Sequence, residues 1–202
     1  DRAVKSAREA VALDSTFALA WRKLAVALFN SRASVAAQDS AISKAASLAD
    51  RLPDREKYLA LGYYYENGSA TADRGKALAA YQNVYLADSS STTATNQLGL
   101  VFERRQQVDS ALRYFRRQYQ IEPVPANAAR VIRSLAVAGQ PEPAAALLDS
   151  ILKKTPGIQT SLIVDGARVA VFLARGQRDS VRILSEEMSK SPDHTIRQNG
   201  LR

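Results

Sequence analysis

Apolar residues return along this chain with a helical period. Between residues 109 and 121, Leu112, Phe115 and Tyr119 fall on one side of a 3.6-residue helix. Arg113, Arg116, Arg117 and Gln120 follow i, i+3, i+4, i+7 on the other side. The same periodicity predicts helices over 2–13, 17–30, 34–50, 54–67, 72–87, 92–106, 109–121, 126–138, 142–154, 159–174 and 178–190. Eleven helices and no strand are expected. Pro53, Pro123, Pro156 and Pro192 fall between predicted helices, where a residue without a backbone N–H does least harm. Asp54 and Asp193 directly follow prolines and are expected as N-caps.

The helical pattern is itself repeated. Within 97–123 the spacing is Leu98-Gly99-x2-Phe102, then x8, Ala111-x3-Phe115, then x7, Pro123. The second half recurs as Ala3-x3-Ala7-x7-Ser15, Ala41-x3-Ala45-x7-Pro53, Ala77-x3-Tyr81-x7-Ser89, Ala144-x3-Leu148-x7-Pro156 and Ser180-x3-Leu184-x7-Pro192. The final residues of these six copies lie 38, 36, 34, 33 and 36 positions apart. The first half recurs as Trp21-x2-Leu24-Ala25-x2-Leu28, Tyr58-x2-Leu61-Gly62-x2-Tyr65 and Ala128-x2-Val131-Ile132-x2-Leu135. Before residue 180 it is degenerate, and Asp165 there occupies an apolar position. Two units look stretched between their helices, at 31–39 and at 67–75.

These spacings resemble the tetratricopeptide repeat family, whose unit of about 34 residues carries Trp-x2-Leu-Gly-x2-Tyr, Ala-x3-Phe and Pro in this order. The resemblance covers nearly the whole chain and is strongest over 94–123. It implies an all-α fold, a right-handed α-solenoid of helical hairpins. Small residues at Gly62, Gly99, Ala77 and Ala111 would let paired helices approach, and Tyr65, Phe102, Tyr81 and Phe115 would fill the space between units. One hairpin cannot bury its apolar face alone, so neighbours must stack. The expected organisation over 1–202 is a single array: a partial unit 1–15, units 16–53, 54–89, 90–123, 124–156 and 157–192, and the start of another at 193–202. Neither end reads as a polar cap, and Asp1 already lies in a helical pattern, so the chain is expected to be a fragment of a longer protein. Residues 48–64 (LADRLPDREKYLALGYY) also look like repeat arrays appended to bacterial serine/threonine kinases, cyclases and transcriptional regulators. That resemblance implies the bacterial cytoplasm, or an extracytoplasmic position if the parent is a membrane-spanning kinase.

Composition narrows the function. No apolar run approaches the roughly 18 to 20 residues of a membrane span; the longest, VAVFLA at 169–174, is flanked by Arg168 and Arg175. The absence of Cys excludes disulfides and thiolate metal sites. With one histidine, His194, neither a zinc site nor a Ser-His-Asp arrangement is expected, and no Gly-rich phosphate loop is present. Glu186 and Glu187 lie on a face predicted to be solvated, and Asn67-Gly68-Ser69 reads as a loop. The expectation is a non-enzyme without metal or cofactor.

The net charge of +8 and pI near 9.9 favour acidic partners in general. Residues 101–135 hold seven arginines, no lysine and three acids. Two functions follow. One is a scaffold that binds a protein or peptide, acidic segments included, as a regulatory module of a larger bacterial protein. The alternative is a basic solenoid binding nucleic acid or another polyanion. Base-stacking aromatics normally accompany such binding, and Tyr119 is placed on the buried face with Leu112 and Phe115, so nucleic acid is not the favoured partner. In the family the first helix of each unit lines a concave groove. Carried over by register, the contact residues are Leu19, Arg22, Val26, Phe29 and Asn30; Leu59, Tyr63, Glu66 and Asn67; Asn96, Leu100, Glu103 and Arg104; then Arg133 and Val137. Arg22, Asn96 and Arg104 echo the carboxylate clamp of chaperone-binding members, while Leu59 and Tyr63 break it.

Overall fold

The computed structural model describes residues 2–155, 157–158 and 161–190. All regular structure among them is helical. The chain divides into two compact units, Asp1–Val101 and Phe102–Arg202.

In the first unit run α1 (Arg2–Leu13), α2 (Ala18–Asn30), α3 (Val35–Ser47), a 3-10 turn (Ala49–Arg51), α4 (Asp54–Asn67) and α5 (Arg74–Ala87), followed by the start of α6 (Thr92–Arg104). Helices α1 to α4 each pack on the helix next in sequence. The apolar centre between α1, α2 and α3 is Val11, Ala20, Leu24, Ala25, Leu28, Ala41 and Ile42, closed by Trp21, Tyr63 and Tyr64. The Trp21 indole also donates to the Ser15 carbonyl at 2.9 Å, fixing the turn that enters α2. Gly62 permits the contact of α4 with α5, because a methyl group there would stand 2.6 Å from Tyr81 Cε1.

The second unit holds the end of α6, then α7 (Val108–Ile121), α8 (Pro125–Val137), α9 (Pro141–Lys154), α10 (Leu162–Ala174) and α11 (Arg178–Ser189). Helix α8 packs on α7, on α9 and also on α10, and α10 packs on α9 and α11. This is the pairing of a hairpin stack: each first helix lies between its own partner and its neighbours. Phe115 and Ile132 are fully buried at its centre.

Several elements are set by single residues. Asp73 accepts from the backbone N–H groups of Gly75 and Lys76 at 2.9 Å and caps α5. Pro125 and Pro141 open α8 and α9, where a proline costs no helical hydrogen bond. The α2, α6, α8 and α10 helices all leave through one left-handed residue: Arg32 (φ 53°), Gln106 (φ 59°), Gly139 (φ 71°) and Gly176 (φ 72°). Only the last two have the residue that conformation favours.

Three expectations are corrected. Asp54 is the first helical residue of α4 and Pro53 its cap, so Asp54 acts through its charge near the helix start rather than as a cap. The stretch 31–39, which looks stretched between helices in the sequence, is more than half helical: α3 begins at Val35, one residue after the expected start at 34. The extra residues add about one turn of helix, which leaves Ala41 and Ile42 facing the core. Tyr119 is only half-buried, whereas Tyr114 and Gln118 are buried with Leu112 and Phe115. Tyr114 is drawn in because it stacks on Phe102, ring centroids 5.5 Å apart and planes 5° from parallel. The 67–75 stretch, by contrast, does form a loop, and Ser69 ties it to α3 by donating its backbone N–H and its hydroxyl to Asp39. Those bonds hold the Asp39 carboxyl below its usual range. Asp193, Pro156, Pro192 and His194 lie outside the described residues.

Candidate functional site

In the first unit two of the expected contact residues, Arg22 and Asn96, enter two polar groups carried by α2 and α4 and by α4, α5 and α6. Arg22 on α2 gives its Nη2 to Glu56 Oε2 on α4 at 2.8 Å, with both side chains mostly buried. From α5, the hydroxyl of Tyr81 donates to Glu66 Oε2 at 2.8 Å. Gln97 on α6 donates its Nε2 to the same carboxylate oxygen at 3.0 Å and lies 3.1 Å from the Tyr81 oxygen. Asn96 donates its Nδ2 to Gln97 Oε1 at 3.0 Å. Burial pushes the Tyr63 phenol up to about 12, so Tyr63 is a neutral hydroxyl at physiological pH. Tyr81 is also raised, first by burial.

Arg22 Nε, Tyr63 Oη and Asn96 Oδ1 are among the buried polar atoms here that lack a hydrogen-bond partner. Each such group costs roughly 1–3 kcal/mol when left unmet. A native interior keeps few of them, and one that does usually has a reason. Phe29 is half-exposed, its ring 6.2 Å from that of Tyr63 and nearly perpendicular to it.

The remaining expected residues are placed less uniformly. Leu19, Val26 and Leu100 are half-buried, and Asn30 is exposed. Leu59 is only 4% exposed and belongs to the packed core of its unit, not to a surface. Asn67 turns its amide back to the Tyr63 carbonyl at 3.2 Å. In the second unit Glu103 and Arg104 are exposed, Arg133 is half-buried and Val137 is 72% exposed. Beside Arg133, one turn back on α8, Arg130 sits 5.7 Å from the centre of the Phe115 ring. Burial and then the charge of Arg133 hold its guanidinium below the usual value, with Glu103 acting in the opposite sense. On α7 Arg113 and Arg116 are exposed and Arg117 half-buried, and Arg113 lies 5.0 Å over the Tyr114 ring.

Sequence reasoning missed Glu56, Tyr81, Gln97 and Arg130. Tyr81 did carry a signal. It occupies the register position of Phe115, and a hydroxyl buried there needs an acceptor. Glu56 carried none, because one acid on a charged helix start is ordinary. Among the described residues no group of three or more His, Asp or Glu side chains could hold a metal ion. No described helix is long and apolar enough to cross a membrane.

Comparison with known proteins places the fold. No family model and no curated protein matches the sequence. Solved structures do. A chain of the APC/C hetero-tetramer Cut9–Hcn1 superimposes with a TM-score of 0.69 at 18% identity, covering 98% of this chain and 38% of that one. YrrB, described as a TPR protein with an unusual peptide-binding site, gives 0.55 at 15% identity over 98% of this chain and 99% of its own. Pseudomonas aeruginosa pilF gives 0.58 at 18% identity over 96% and 85%. At these identities the likeness is one of architecture, and the chain has the all-α, helical-hairpin fold of tetratricopeptide repeat arrays.

Proposed function

We propose that this chain is a protein-interaction scaffold that binds a peptide segment on the first helices of its hairpins. The observation that carries this is the set of partnerless buried atoms on Arg22, Tyr63 and Asn96, which come from three successive first helices. A purely structural face would have paired them or made them apolar. Half-exposed Phe29 beside them supplies an aromatic anchor of the kind that dominates binding energies. The peptide-binding site in the description of YrrB supports the same reading by analogy of fold. The likeness of residues 48–64 to arrays appended to bacterial regulators supports a module of a larger regulatory protein.

An acidic preference, where the partner has one, falls on the second unit. Arg22 is already neutralised by Glu56, whereas Arg130 and Arg133 stand together on α8 as like charges. Nucleic acid is the weaker reading. Tyr114, the aromatic nearest the α7 arginines, is buried against Phe102 and cannot offer a face to a base.

The test is a random peptide display library selected against the chain. Phe29→Ala should weaken the selected peptides at least tenfold, about 1.4 kcal/mol. Leu86→Ala, at an 81% exposed position on the second helix α5, should leave them unchanged. Equal losses, or losses at Leu86 alone, would overturn the assignment.

A further inference from the structure

We propose that Arg130 and Arg133, on the open stripe of α8, hold the phosphoryl group of a phosphoserine or phosphothreonine on the bound peptide. This rests on the peptide-binding reading above and adds the chemistry that the peptide carries.

Helix α8 is almost wholly enclosed. Residues 127–129, 131–132 and 134–136 are buried, and α7, α9 and α10 all pack on the helix. Past Pro125, the positions that reach solvent are Ala126, Arg130, Arg133 and Val137, spaced i, i+4, i+7, i+11 along one face. Both cations of α8 therefore stand on that one stripe, a turn apart. Arg130 is held there against the core, its guanidinium 5.7 Å from the centre of the buried Phe115 ring.

No carboxylate answers the pair. Among the described residues no acidic side chain stands within ion-pair distance of Arg130 or Arg133. Aligned on their left-handed glycines, Gly139 and Gly176, α8 and α10 match Arg130 and Arg133 with Ala167 and Ala170. The neighbouring first helix thus brings neither charge nor bulk to this register. Glu103 acts on Arg130 from farther off, after burial and the charge of Arg133. Two like charges a turn apart oppose the fold, and an anion held between them reverses that sign.

A carboxylate has two oxygens and one charge, enough for one guanidinium fork. A phosphoryl group brings three oxygens and about −1.5 to −2 charges at pH 7, enough for two. Arginine clusters read phosphorylated peptides in this way. Nucleic acid carries phosphates in a row, whereas this stripe continues into Ala126 and Val137 rather than into further cations.

The probe is a set of degenerate peptide pools with phosphothreonine, phosphoserine, threonine or glutamate fixed at the centre. Each is titrated against the chain at physiological salt by fluorescence anisotropy. The phosphorylated pools should bind tighter than the threonine and glutamate pools by about tenfold or more. Arg130→Gln and Arg133→Gln should each remove that preference, and Arg133→Gln does so without touching the Phe115 contact. Arg130→Lys should lose most of it, because an ammonium keeps the charge but not the fork. Arg116→Gln, on the exposed face of α7, should leave it unchanged. A glutamate pool or an oligonucleotide that binds as tightly, a preference surviving both glutamine variants, or an equal loss at Arg116 would overturn the phosphoryl site. Display-selected peptides that still weaken with Phe29→Ala would then leave the groove standing. Selected peptides indifferent to Phe29→Ala, with no pool preferred, would overturn both.

Discussion

Gln106 and Arg32 hold left-handed backbone that their neighbours in register, Gly139 and Gly176, adopt without strain. Gln106→Gly should therefore stabilise the chain by about 0.5–1 kcal/mol, the gain from relieved strain exceeding the added freedom of the unfolded state. Urea denaturation would show it as a raised midpoint at constant slope, and a lowered midpoint would contradict it. Asp165 is the opposite case, a residue at odds with its surroundings. It is 4% exposed in α10, where the repeat calls for an apolar side chain, and Arg168 donates its Nη1 to it at 3.4 Å. Burial raises its carboxyl above the usual value, with Arg168 opposing. A carboxyl raised in the folded state binds its proton more tightly there. Its charge therefore costs stability above the folded value, and that cost fades as pH falls toward the unfolded one. Asp165→Asn should raise the melting temperature at pH 7 and converge with the parent near pH 4. A constant offset between pH 7 and 4 would contradict the argument. The sequence flagged Asp165 as misplaced, but only the structure shows it inside.

At the scale of elements, helix existence was legible because the same small and large residues recur at fixed spacing. Ten of the helix starts needed no tertiary information beyond that period. What was not legible were features that depend on how a residue is used once packed. The spacing assigns Tyr114 to neither face, and it is buried because its partner Phe102 lies outside its own helix. Glycines differ in the same way. Gly62→Ala should destabilise by about 1–3 kcal/mol, since the new methyl meets the Tyr81 ring at 2.6 Å and that ring is held by Glu66. Gly166→Ala in α10, with nothing within 4 Å, should stabilise by about 0.5–1 kcal/mol. Thermal melts of the two variants check the pair, and shifts of the same sign would contradict the packing described.

For the whole molecule, the fold was carried by pattern and the site was not. Phe29, Tyr63, Asn96 and Arg22 could be named from register, yet the Glu56 partner that neutralises Arg22 depends on which helix faces which. Leu59 shows the limit from the other side, since register alone cannot tell a groove residue from a core one. The central claim is that binding belongs to the first helices. Backbone chemical-shift perturbation of the chain on adding a display-selected peptide tests it most directly. Shifts concentrated on α2, α4 and the Asn96–Leu100 stretch of α6 are the predicted result; a footprint confined to α3, α5 or α7 would contradict it.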